Sequence, residues 1–162
     1  MKKIVFIILF LAEATSVNAQ NEYKTAVGLR FGPNTGFDVK HNLDESTSIE
    51  GIVNFQWHGL LVMGLYEKNF PVIKQVDGFR FYMGAGAHVG YWSDYSKHHP
   101  WYEEDDMRNH VAIGVDGIIG LEYTFNDIPL NLAIDWIPMI NFADHAAFYA
   151  GGVGLSVRYA IK

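Results

Sequence analysis

Between Val111 and Phe125 the chain alternates with a period of two. The odd positions hold Val111, Ile113, Val115, Gly117, Ile119, Leu121, Tyr123 and Phe125, and the even ones Ala112, Gly114, Asp116, Ile118, Gly120, Glu122 and Thr124. Successive side chains of a strand point to opposite faces, so strict alternation over this length predicts a β-strand with one apolar face. Three further segments carry the same pattern. Val27, Leu29 and Phe31 alternate with Arg30 and Gly32. Phe79, Phe81, Met83, Ala85, Ala87, Val89 and Tyr91 oppose Arg80, Tyr82, Gly84, Gly86, His88 and Gly90, and Val153 to Ile161 oppose Gly154, Ser156 and Arg158. Weaker alternation covers Phe37–His41, Glu50–Trp57 and Leu130–Trp136, while Leu60–Tyr66 is apolar at every position, which leaves its register open.

Seven connections separate these segments: 32–35, 43–47, 57–59, 67–78, 93–109, 126–129 and 138–147. Eight antiparallel strands with short connections predict an up-and-down β-barrel, all-β in class. A soluble barrel would turn its apolar face inward, a membrane barrel outward. The polar face decides between them. It carries glycine and alanine punctuated by single charges: Arg30, Asp38, Lys40, Glu50, Arg80, Asp116, Glu122, Asp135 and Arg158. Small residues beside a few large charged ones suit the crowded lumen of a narrow barrel. Tyr91, Trp57 and Trp136 fall near one rim and Tyr123, Phe125, Phe79 and Tyr159 near the other, as two interfacial girdles would. The expected architecture is an eight-stranded antiparallel transmembrane β-barrel, with a soluble periplasmic ligand-binding barrel as the alternative.

The first 19 residues follow a different rule. Lys2 and Lys3 precede an apolar run from Ile4 to Ala12, and Val17-Asn18-Ala19 stands before Gln20. This is the pattern of a cleaved secretory signal over 1–19, with a run too short to span a bilayer as a helix. The barrel domain would then occupy 20–162, long enough for one domain and too short for two. The chain is acidic, at −6, which argues against binding nucleic acid through its phosphates. With no cysteine it has no disulfide, thiolate metal site or catalytic thiol. Its 16 glycines and 15% aromatic content suit a barrel better than a helical fold.

Four blocks resemble small outer-membrane β-barrel proteins, the class that includes the OmpA transmembrane domain, OmpX and OmpW, and most of all the short barrels of Bacteroidota. They are Thr47-Ser48-Ile49-Glu50-Gly51-Ile52-Val53, Gly114 to Tyr123, Ile128-Pro129-Leu130-Asn131-Leu132 and Gly154-Leu155-Ser156-Val157-Arg158-Tyr159. The resemblance implies periplasmic termini, insertion by the barrel-assembly machinery, and contact with outer-membrane lipid and lipopolysaccharide. It places 32–35, 57–59, 93–109 and 138–147 outside. The chain departs from the class at its end, where Ala160, Ile161 and Lys162 follow the last aromatic residue.

Candidate chemistry falls in three places. The interior charges must pair in a poorly hydrated lumen; they form either a salt-bridged plug or a gated path for ions or solutes. In the loop Ser93 to Asn109, His98 and His99 precede Trp101, Tyr102 and the carboxylates Glu103, Glu104, Asp105 and Asp106. Such a loop offers a binding surface for an extracellular protein or glycan. It could also ligate a divalent cation, although the spacing fits no defined metal motif. Finally, Ser93, Asp94, Ser96, His98, His99, Asp144 and His145 share the outer rim, where an enzyme modifying lipid A or phospholipid would place a nucleophile and base. No Gly-x-Ser-x-Gly elbow accompanies them, and a non-enzymatic role in envelope structure or surface interaction, without cofactor or metal, is the primary expectation. His58 and His88 are expected to be interior histidines.

Overall fold

The computed structural model describes residues 23–55, 59–72, 78–92, 110–143 and 147–161. All regular structure among them is strand: β1 (Thr25–Phe31), β2 (Gly36–Asp44), β3 (Thr47–Asn54), β4 (Gly59–Pro71), β5 (Phe79–Trp92), β6 (His110–Thr124), β7 (Leu130–Trp136), β8 (Met139–Asn141), β9 (Ala147–Tyr149) and β10 (Val153–Ile161). Every pairing is antiparallel; β1 to β7 pair in chain order, β8 continues along β6, β9 pairs with β8, and β10 lies between β7 and β1. The sheet therefore closes on itself.

Ten strands make eight staves. The register of β7 on β6 continues without a slip into β8, because Pro138 interrupts the strand only by lacking an N–H; its carbonyl still accepts from the Gly117 N–H at 2.9 Å. On the other side, β9 and β10 belong to one stave broken by a bulge. The pairing slips by one residue between Tyr149 and Val153, and Gly151 sits at φ +69°, where a Cβ would strike the Ile137 carbonyl. The 138–147 connection expected from sequence is thus shorter, since β8 and β9 carry the sheet into it. The expected 67–78 connection is likewise reduced to 72–78: β4 runs on through Glu67 to Pro71 by alternating buried and exposed positions.

Following one row of partners round the barrel measures its stagger. Leu132 faces Val157, then Leu29, Phe37, Val53, Val62, Val89 and Ile113 in turn. The N–H of Phe142 donates to the Ile113 carbonyl, so the row returns to its own stave ten residues beyond Leu132. Eight strands closed with such a stagger leave an interior just wide enough for side chains to fill. Every member of this row is apolar, and none is buried.

The interior holds two zones. Ile52, Leu61, Met63, Leu65, Trp92, Ala112, Ile118, Ile137 and Met139 form an apolar cluster weighted towards the end that carries the 93–109 connection. The other zone is polar and reaches to the end where the chain enters and leaves the barrel. The alternation of β4, unresolved in the sequence, is settled by this packing: Leu61, Met63 and Leu65 turn inward, while Leu60, Val62 and Tyr66 turn outward. Phe79, Tyr123 and Phe125 pack at tilted and edge-on angles at the entry end, and Tyr91 lies towards the other. Trp136, expected near that other rim, instead stands in mid-stave opposite Ile119, because β8 carries the sheet on to Asn141. Trp57 lies outside the described residues.

Candidate functional site

The interior side chains arise from every second position of the strands, even-numbered on most and odd-numbered on β4, β7, β8 and β9, so each stave contributes a fixed set to the lumen. Arg158 on β10 is fully buried. Its Nε and Nη2 both lie 2.8 Å from Asp38 Oδ2, Nη2 lies 2.9 Å from Glu50 Oε2, and Nη1 donates to Asn131 Oδ1 at 3.1 Å. Glu122 Oε2 is 3.8 Å away. The Lys40 ammonium sits 2.7 Å from Glu67 and 3.1 Å from Glu122, and 3.8 Å from the centre of the Tyr82 ring. Tyr23 closes the entry end by donating its hydroxyl to Glu122 at 3.2 Å.

A second nucleus is built on Asp135. Arg30 clamps it with both terminal nitrogens, Nη1 at 2.7 Å from Oδ2 and Nη2 on Oδ1. The Tyr82 hydroxyl donates to the same Oδ2 at 2.8 Å, and Arg30 Nη1 also reaches Ser156 Oγ at 3.3 Å. A forked guanidinium on a carboxylate is the strongest ordinary geometry for such a pair. Glycines make the room. A Cβ at Gly154 would overlap the Arg30 guanidinium, and one at Gly120 would come within 2.6 Å of both Tyr82 Cζ and Asp135 Cβ. The small residues of the polar face are therefore the spaces into which the large polar side chains fit.

Of the nine charges picked out from the alternation, seven share this network: Arg30, Asp38, Lys40, Glu50, Glu122, Asp135 and Arg158. Asp116 is also buried but stands apart, with His88 Nδ1 at 2.7 Å from its Oδ1. Arg80 is only half-buried and faces Glu122 in the β5–β6 register. The network also takes in residues that the charge pattern does not single out: Glu67, which falls beyond the apolar run of β4, and the uncharged Tyr23, Tyr82, Asn131, Ser48, Asn69 and Ser156. Counting by twos from Leu61 through Met63 and Leu65 would have reached Glu67. Ser48 Oγ donates to that carboxylate at 3.1 Å and in turn accepts from Asn69 Nδ2, so it is fixed on both sides.

Among the described residues no group of three or more His, Cys, Asp or Glu side chains could hold a metal ion. His98, His99, Trp101, Tyr102, Glu103, Glu104, Asp105 and Asp106, together with Ser93, Asp94, Ser96, Asp144, His145 and His58, lie outside the described residues. No protein family, curated protein or solved structure matches the chain.

The outer surface is the converse of the lumen. Among the described residues 31 large apolar side chains are exposed, against 14 apolar residues buried, while 19 polar or charged residues are buried. Leu29, Ile119 and Leu155, on three different staves, are all more than a third exposed and point away from the lumen. A protein folded in water reverses these proportions.

Proposed function

We propose that this chain is a transmembrane barrel of an outer membrane, with a lumen occluded by its own side chains, and that it serves the envelope without catalysis, as a structural element or through surface interaction. The observation that carries the reading is the inverted distribution of polarity. An apolar belt surrounds the barrel, and the ion pairs are enclosed where no hydrocarbon reaches them. Backbone closure supports it as well, since a barrel without edges satisfies its own N–H and C=O groups, the condition for crossing a bilayer with strands. In this reading the termini and the connections 45–46, 72–78 and 125–129 face the periplasm. The 93–109 loop and the β8–β9 connection then face outward, where a protein or glycan partner would meet them. Filling by Arg30, Tyr82, Arg158, Trp92 and Met139 favours a barrier over a steady pore.

The test is a charge placed on the belt. In phosphatidylcholine vesicles, Val157→Arg, halfway along β10, should destabilise the barrel by about 2–4 kcal/mol. On a face that meets water the same change should stay within about 0.5 kcal/mol. Urea unfolding of both forms decides between these. In cells, the chain should stay with the membrane pellet through carbonate and high salt and leave it only with detergent. Release without detergent would sink the reading and favour a soluble barrel.

A further inference from the structure

A groove of about 630 Å³ crosses the outer surface of β2 to β5. Its floor is Gly51 and Gly64, paired across β3 and β4, with Ala87 next in the same row on β5. A Cβ built on either glycine would meet nothing within 4 Å, so these two make no room for an interior neighbour, unlike Gly120 and Gly154. They leave a depression. Val39, Ile49 and Tyr66 stand around it, and His41 lies at the end nearer the 45–46 turn, its Nδ1 2.9 Å from Thr25 Oγ1. Closer still to that turn, Asp44, Thr47 and Lys68 pair in one row across the same three strands, and the Lys68 ammonium donates to Thr47 Oγ1 at 2.6 Å. The groove is thus an apolar trough with an ammonium and a carboxylate at one end.

We propose that this trough seats one acyl chain of a glycerophospholipid of the surrounding leaflet, its phosphate against Lys68 and His41 and the ammonium of an ethanolamine headgroup against Asp44. The proposal rests on the transmembrane reading. Charge complementarity selects the occupant: the polar row carries both signs, as a zwitterionic headgroup does, and it lies at the rim end of the trough, where a headgroup sits when its chain points into the bilayer. A second copy of the chain is a poorer occupant, since a two-fold contact would set one depression against another.

Native mass spectrometry of the full chain, released from micelles loaded with dipalmitoyl phosphatidylethanolamine or with dipalmitoylglycerol, tests this. One phospholipid per chain should survive release, with retention of the diacylglycerol about tenfold lower. Gly64→Leu fills the trough and should lower phospholipid retention about tenfold while the chain still migrates as a folded band. Gly51→Val does the same if Gly64→Leu fails to fold. Lys68→Met should abolish the preference for the phosphate-bearing lipid. Retention unchanged by filling the trough, no retained lipid on a folded chain, or a dimer in place of the lipid complex would each overturn the proposal. A chain that does not float with vesicles instead overturns the membrane reading on which it stands, so the two failures are distinguishable.

Discussion

Removing the Arg158 guanidinium is the sharpest perturbation of the lumen. Arg158→Met keeps the length and apolar stem of the side chain but strips the partner from Asp38 and Glu50, both within 2.9 Å, and a hydrogen bond from Asn131. Deleting one member of a buried ion pair generally costs about 3–5 kcal/mol, because the charge left behind keeps its desolvation penalty without compensation. With a urea dependence of about 2 kcal/mol per molar, the unfolding midpoint in vesicles should fall by about 2 M. The loss belongs to the stranded carboxylates, so neutralising them should reverse much of it. Arg158→Met with Asp38→Asn and Glu50→Gln should be more stable than Arg158→Met alone, the cycle giving a favourable coupling of up to about 3 kcal/mol. The reasoning fails if Arg158→Met alone unfolds within about 0.5 kcal/mol of the parent. It fails equally if the three changes add as independent losses.

Other consequences follow from the same geometry. Gly154→Val, whose Cβ would occupy the site of the Arg30 guanidinium, should cost about 1–3 kcal/mol by overpacking, read by the same urea unfolding. Tyr82→Phe should cost about 1 kcal/mol by removing one donor from Asp135, and a neutral result would show that Arg30 alone satisfies this carboxylate. In planar bilayers the purified chain should show no steady conductance, whereas a persistent open level would replace the barrier with a path. Single replacement of Ser93, Ser96, His98 and His145 should leave lipid A and phospholipid profiles unchanged by mass spectrometry; a changed profile would make the outer rim an active site.

The strands and their faces were legible because alternation is local: a residue and its second neighbour share a face whatever the rest of the chain does. That is why Val111–Phe125 and Val153–Ile161 could be placed with their inward and outward sets. The ends of β4 were not legible, since apolar residues occupy both of its faces and the inward row becomes polar only at Glu67. The bulge at Gly151 escaped notice for another reason: one extra residue changes pairing but leaves no compositional mark beyond a glycine pair. Partner choice inside the lumen was the least legible. Nothing near Arg158 in sequence indicates Asp38, 120 residues away, and only the stagger of the closed sheet brings them together. Polar aromatics were overlooked because Tyr23 and Tyr82 can be read as apolar filling until their hydroxyls are seen on Glu122 and Asp135.

The pattern of partners explains why the interior is ionic rather than simply apolar. Backbone pairing joins each stave only to its two neighbours, and it would tolerate a slip of two residues with little loss because the faces would still match. The lumen does not tolerate it. Arg30 on β1 is held to Asp135 on β7, and Asp135 to Tyr82 on β5; Lys40 on β2 reaches Glu67 on β4 and Glu122 on β6. Arg158 on β10 reaches Asp38 on β2 and Glu50 on β3. All eight staves are thereby tied across the barrel through contacts that skip strands. A two-residue slip of any stave that carries one of these charges would strand it, at a cost of several kcal/mol, while a slip of β5 would lose the Tyr82 hydroxyl from Asp135. On this argument the ion pairs contribute less to net stability than to fixing a single register of closure. Variants that replace the whole set with well-packed apolar residues should therefore lose uniqueness of pairing before they lose the barrel.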